Sequence, residues 1–177
     1  MSRVRIALVT AAAAIAALAG APTAQGQTCA GAFALPRAAT TAAAASATLC
    51  LVNRERTRRG LRALRANPAL AAAAREYSRD MVRRHYFAHG DVPDRIFAHD
   101  YAAGLHIRLL GENLAWGTGR FGTPALIVDS WMHSPGHRAN VLRPGFREAG
   151  AGVASGVPVP GLGSPGATYT VDFGTRD

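Results

Sequence analysis

The sequence predicts a single α+β domain, and three observations carry that expectation. Apolar residues recur at three- and four-residue spacings in the first half, they alternate with polar ones near the end, and 177 residues suffice for one hydrophobic core but not for two. Helices first and strands last argue against the alternating units of a parallel sheet.

The chain opens MSRVRIALVTAAAAIAALAGAPTAQGQ, with Arg3 and Arg5 ahead of an apolar run over 6–19, then small residues and a proline. That is the three-part pattern of a secretory leader, and the run falls short of the roughly 20 apolar residues a membrane-spanning helix needs. Residues 1–26 are read as a signal peptide, cleaved after Gly26 in preference to Ala21 or Ala24. Gln27 and Thr28 stand before Cys29, where a lipoprotein signal carries small residues, which argues against a lipid anchor. No later stretch is long and apolar enough to cross a bilayer, so the expected address is extracellular.

Residues 27–47 form an Ala/Thr-rich tract without large apolar side chains, read as a low-complexity tether that becomes helical near its end. The folded domain is placed at 48–177. Its first helix shows in LCLVNRERTRRGLRAL, where Leu49, Val52 and Arg56 share a face and Gly60 supplies a stop near Arg59. Asn67 followed by Pro68 caps a second helix whose buried face carries Leu70, Ala74, Tyr77 and Met81. Its outer face holds Arg75, Arg79 and Arg83, relieved by Glu76 and Asp80, and is read as solvated.

From 85 to 111 no periodicity persists, which predicts an irregular connection with short helical turns; a loop of that length in a small domain tends to be functional. LLGENLAW over 109–116 fits a buried or half-buried element. Thr123-Pro124 starts a helix through Val128 and Trp131, stopped at Ser134-Pro135-Gly136, with one further turn expected over 138–142. AGAGVASG and ATYTVDFG, separated by a Pro/Gly-rich stretch, read as two antiparallel strands, the second alternating at Tyr169, Val171 and Phe173.

An exported chain meets an oxidising compartment, and this one has only Cys29 and Cys50. They are expected to bond to each other, tying the tract between them onto the domain; the alternatives are two free thiols or an intermolecular bridge. All twenty basic residues are arginine and the formal charge is +9, still strongly positive once Arg3 and Arg5 leave with the leader. Such a surface attracts anionic envelope polymers or lipid head groups, while export takes intracellular nucleic acid out of reach. A merely solvated basic surface explains the same composition.

The six histidines include His133 and His137, four apart as in the HExxH zinc motif. Pro135 and Gly136 between them break the helix that would align their rings, and no HExxH occurs. With both thiols expected in a disulfide, a cysteine-based zinc site is excluded. Ser130 and Ser134 lie near His137, but no GxSxG elbow frames either. Trp116 and Trp131 read as core, and Asn113 as a partner for backbone.

YFAHG (86–90), GENLAWG (111–117), SWMHSPGHRANVL (130–142), REAGAGV (147–153) and VDFG (171–174) resemble, in order, the motif series of the CAP superfamily. That superfamily holds the cysteine-rich secretory proteins, antigen 5 and the plant pathogenesis-related proteins, and this chain is similar to its secreted bacterial branch with the SCP-like extracellular domain. The resemblance covers about residues 50–174. It implies a three-layer α-β-α sandwich with a twisted, largely antiparallel sheet, and a cleft where histidines meet acidic residues. Motif by motif, His89 takes the place of the first histidine, Glu112 that of the acid and His137 that of the second histidine. Ser134 stands where the animal and plant pattern carries a second glutamate, which puts a two-carboxylate mechanism in doubt, and His133 stands where bacterial relatives commonly carry asparagine.

The resemblance also implies a divalent cation, zinc for instance, at His89, Glu112 and His137; two imidazoles and a carboxylate suit one, with water in an open position. A buried polar network of the same three groups is the competing expectation. Two functions follow from different classes: a non-catalytic extracellular module that binds a lipid, a peptide, an envelope polymer or a protein, and a metal-dependent hydrolase acting on peptides or envelope material. Envelope adhesion through arginine alone is a third.

Overall fold

The structure is a computed structural model that describes residues 28–102, 104–162 and 165–177. The expected signal peptide lies outside the described residues. Among the described residues, five α-helices and four strands are arranged in the order α1 Thr41–Thr57, β1 Arg65–Ala66, α2 Pro68–Arg84, α3 Val92–Phe97, β2 Ile107–Thr118, α4 Pro124–His133, α5 Pro135–Val141, β3 Glu148–Ser155 and β4 Gly166–Arg176.

Local chemistry sets most boundaries. Asn67 Oδ1 accepts from the backbone N–H groups of Ala69 at 3.0 Å and Leu70 at 3.2 Å, satisfying donors that the first turn of α2 would otherwise leave unpaired. Pro68 fits the first helical position because its missing N–H has no partner there to lose. The same logic corrects the expected single turn over 138–142: Pro135 ends α4 and opens α5, so the helix already runs from 135. Within the irregular stretch 85–111, α3 is capped by Asp91, whose Oδ1 accepts from Asp94 N–H at 2.9 Å. The element expected over 109–116 is a longer strand, β2.

The Ala-rich tract expected to be a tether is helical from Thr41, and Ala44 and Ala47 are buried in the domain. Alanine gives a helix without side-chain entropy cost, and its small volume lets α1 approach the sheet closely. Cys29 and Cys50 are joined by a disulfide, and Ala125 N–H donates to Ala32 C=O at 2.8 Å, so the segment ahead of α1 is held against α4. A loop of that length is worth about 3 kcal/mol in the closing entropy removed from the unfolded chain.

The sheet runs β1-β3-β4-β2; β1 is parallel to β3, and the other neighbours are antiparallel. β4 lies inside it, buried from Gly166 to Gly174. Its side chains alternate between two covered faces. Tyr169, Val171 and Phe173 join Leu51, Val52, Ile127, Val128 and Trp131 in the core under α1 and α4. Thr170 and Asp172 point the other way: Ser78 of α2 donates to Thr170 Oγ1 at 2.9 Å and Arg95 of α3 reaches Asp172. Helices on both faces of a largely antiparallel sheet make the α-β-α sandwich.

α2 sits on β3 at van der Waals range because REAGAGV places glycine where side chains would intrude. A Cβ on Gly150 would lie 2.0 Å from Ala71 N, and one on Gly152 would lie 2.0 Å from Arg75 N. Among the described residues no helix is long and apolar enough to cross a membrane.

Candidate functional site

The site is assembled from the end of α2, the connection to α3, and strands β2 and β4. His85 closes α2 in the left-handed conformation, and Gly90 repeats it at φ +61°. Tyr77 holds the stretch between them: its hydroxyl donates to Ala88 C=O at 2.6 Å, and a Cβ on Gly90 would lie 2.6 Å from the Tyr77 hydroxyl oxygen. Glycine in YFAHG therefore meets both a backbone and a packing requirement. The result aims the His89 ring inward at β2.

Glu112 meets it there. His89 Nδ1 lies 2.7 Å from Glu112 Oε1, and the carboxylate is almost wholly buried while the imidazole stays more than half exposed. Arg95 occupies the second oxygen, Oε2, and also reaches Asp172 Oδ1 at 3.4 Å and His89 C=O at 3.2 Å. Its guanidinium lies 3.6 Å from the centre of the Tyr77 ring. One arginine thus joins the helical layer to two carboxyl groups on neighbouring strands, for Glu112 and Asp172 are paired across β2 and β4.

Burial pushes the Glu112 carboxyl well above the usual carboxylate range, against the downward pull of Arg95. Asp172 is raised too, by burial first and then by Glu112 beside it. Two carboxyls and one guanidinium in a dry layer favour a shared proton over two full negative charges. Asp172 Oδ2 is buried without a hydrogen-bond partner, in keeping with a site that does not solvate a second charge.

His137 comes from α5. Asn113 Nδ2 donates to His137 C=O at 3.0 Å, while Asn140 Nδ2 donates to Glu112 C=O at 3.0 Å and to Asn113 Oδ1 at 3.1 Å. These amides lock α5 to β2, so Asn113 serves backbone as expected. The His137 imidazole has its Nδ1 2.9 Å from Ser134 Oγ. Burial lowers its pKa, and the charge of His89 lowers it further, which puts the ring within electrostatic reach of the first histidine.

His133 takes no part. Its Nδ1 lies 2.8 Å from Asp129 C=O on the exposed side of α4, and Ser134 is extended between the two helices, so the i,i+4 spacing does not align the rings. Trp131 is core, its Nε1–H donating to Leu114 C=O at 3.0 Å; Trp116 is half-buried.

Among the described residues no group of three His, Cys, Asp or Glu side chains is placed to hold one metal ion. The reason is visible at Glu112: with Oε1 on His89 and Oε2 on Arg95, its carboxylate stands behind the first imidazole instead of beside it. Both histidines have Nδ1 engaged, which leaves their Nε2 atoms as the nitrogens open to a ligand. Arg95 and Asp172 are the site residues that sequence reasoning misses. The only sequence signal for Asp172 is its place in the matched motif VDFG; Arg95 carried none.

The profile of the cysteine-rich secretory protein family, CAP, matches residues 49–159. The uncharacterized protein YkwD of Bacillus subtilis (strain 168) is 37% identical over 103 residues, 58% of this chain and 39% of that protein. An extracellular protein of Bacillus anthracis containing an SCP domain superposes with a TM-score of 0.55 at 27% identity, over 71% of this chain and 38% of its own. An outer surface protein of Borrelia burgdorferi gives a TM-score of 0.59 at 21% identity, over 73% of this chain and 90% of its own, which supports the fold alone. The chain spans about two fifths of the length of the two Bacillus proteins. With the motifs, the sandwich and the profile in agreement, the chain belongs to the cysteine-rich secretory protein (CAP) family.

Proposed function

We propose that the chain is an extracellular binding module whose histidine-lined cleft holds a ligand without turning it over. The observation that carries this reading is the engagement of Glu112 on both oxygens by His89 and Arg95. A general base must have a lone pair free to take a proton from water or substrate. Glu112 is almost wholly buried with a hydrogen bond on each oxygen and does not face water or substrate, Asp172 is sealed beneath it, and Ser134 stands where a further acid would be needed. The extracellular setting is supported by the Bacillus anthracis protein, which is described as extracellular.

A divalent ion such as zinc belongs to the same reading in a modified form. It would meet His89 and His137 through Nε2, with Glu112 and Ser134 fixing the tautomers from behind, the usual work of groups next to metal-binding imidazoles. Bound there, an ion supplies a Lewis-acidic anchor for an anionic or carbonyl group of the ligand.

The rival is a metal-dependent hydrolase. Purified protein loaded with zinc is offered a panel of peptides and peptidoglycan fragments, with His137→Ala as control. No turnover above the control is expected; turnover by the wild type that His137→Ala abolishes would overturn the binding-module reading.

A further inference from the structure

The two edges of the sheet are finished differently. On β2 the outward carbonyls of Glu112 and Leu114 accept from Asn140 Nδ2 and Trp131 Nε1, so that edge is closed by side chains. On the side of β3 away from β4 the only strand among the described residues is β1, and it pairs at Glu148 and Ala149 alone before the chain turns into α2. Asn67 N–H donates to Ala149 C=O at 2.9 Å, which fixes the parity: the N–H and C=O groups of Ala151 and Val153 face the same outer side. Among the described residues no strand meets them there. Open edges of this kind are templates for another strand, and proteins ordinarily cover them.

This edge forms the floor of a groove between α1 and α2. Three adjoining clefts of about 270, 350 and 250 Å³ follow β3 from Ala149 to Ser155. The α1 wall carries Ala42, Ala45, Ser46 and Leu49, with Ala38 just ahead of the helix; the α2 wall carries Arg75, Arg79 and Arg83. Among the described residues no acidic side chain lines any of the three clefts. Arg83 is paired with Asp80, whereas Arg75 and Arg79 have no carboxylate partner among the described residues.

We propose that the outer edge of β3 is a docking site for an extended acidic peptide, which adds as a further strand between α1 and α2. Backbone amides of Ala151 and Val153 supply main-chain hydrogen bonds, the component of strand addition that is indifferent to sequence. Side chains of the added strand alternate between the two walls. Those facing α2 meet Arg75 and Arg79 and are acidic; those facing α1 meet Ala42 and Ala45 and are apolar. Seven residues of edge correspond to about 20 Å, enough for a peptide of about six residues. A second copy of this chain is disfavoured as occupant, because two such edges would bring two arginine rows together.

The test uses a fluorescent, end-blocked peptide of alternating valine and glutamate, its lysine-for-glutamate counterpart, and the isotope-labelled chain. Binding is read by anisotropy, and exchange at the Ala151 and Val153 amides by NMR. The glutamate peptide is expected to bind and protect both amides, and the lysine peptide to fail. Arg75→Glu/Arg79→Glu and, separately, Ala42→Trp, which fills the groove from an exposed helix position, should each weaken binding at least about tenfold. Circular dichroism and melting of both variants should match the wild type. No binding overturns the proposal. So does binding that leaves the two amides unprotected or is indifferent to Ala42→Trp, since either identifies a surface polyanion contact. Protection of the amides without peptide, together with a dimer by light scattering, would assign the edge to a second copy instead. None of these outcomes depends on the histidine cleft.

Discussion

At the scale of single residues, the site is governed by what surrounds two carboxyl groups and one glycine. Glu112 and Asp172 both lie above the usual carboxylate range because burial opposes their charge. A carboxyl whose folded-state pKa is raised stabilises the fold below its unfolded pKa, and that contribution is lost as pH climbs through the folded value. Asp172→Asn removes one of the two charges competing for Arg95, so the melting temperature of the variant should gain on the wild type steadily as pH rises from the acid range to neutrality and above. A difference independent of pH would show that the pair does not share a proton. Gly90 supplies a second prediction. Alanine there must adopt φ +61° and approach Tyr77 Oη, so Gly90→Ala should cost about 1–3 kcal/mol in denaturant unfolding and loosen His89.

The same scale shows why part of the site was legible and part was not. His89, Glu112 and His137 stand in motifs that can be matched one by one, whereas Arg95 lies in VPDRIF, a short stretch whose meaning depends on which strands α3 covers. Asp172 occupies the polar phase of an alternating strand, and alternation alone places that phase in solvent. Only the layer of α2 and α3 above it makes the position buried and electrostatically costly.

At the scale of elements, α2 and β4 were the plainest to read: Asn67-Pro68 is a start signal with a mechanism, and Tyr169, Val171 and Phe173 mark a face. The start of α1 was obscure because a run of alanine has helical propensity without amphipathic contrast; which alanines are buried is decided by the sheet they meet. Pro135 was half legible, as a stop for α4, while its role as a first helical residue depends on where the chain goes next. The glycines of β3 are the element-scale counterpart of Gly90. A methyl group on Gly152 would enter the backbone of α2, so Gly152→Ala should destabilise by about 1–3 kcal/mol or more, while Gly136→Ala, with open space around it, should stay within about 0.5 kcal/mol; thermal and denaturant unfolding of both variants measure the contrast.

At the scale of the whole molecule, the fold sets α3, α5 and the central strands around Glu112 and, among the described residues, leaves the outer edge of β3 beyond Ala149 without a partner strand between α1 and α2. The three-layer arrangement is what allows a charged cluster to be buried on one face of β4 while an apolar core fills the other. The central claim is that two imidazoles, oriented from behind by Glu112 and Ser134, form a binding site without a free carboxylate. Calorimetric titration of zinc into the wild type, His89→Ala/His137→Ala and Glu112→Gln tests it most directly. Binding is expected in the wild type, none in the double variant, and an affinity lowered by about 10–100-fold in Glu112→Gln, where the carboxylate acts through His89. Equal heats in the wild type and the double variant would contradict the account.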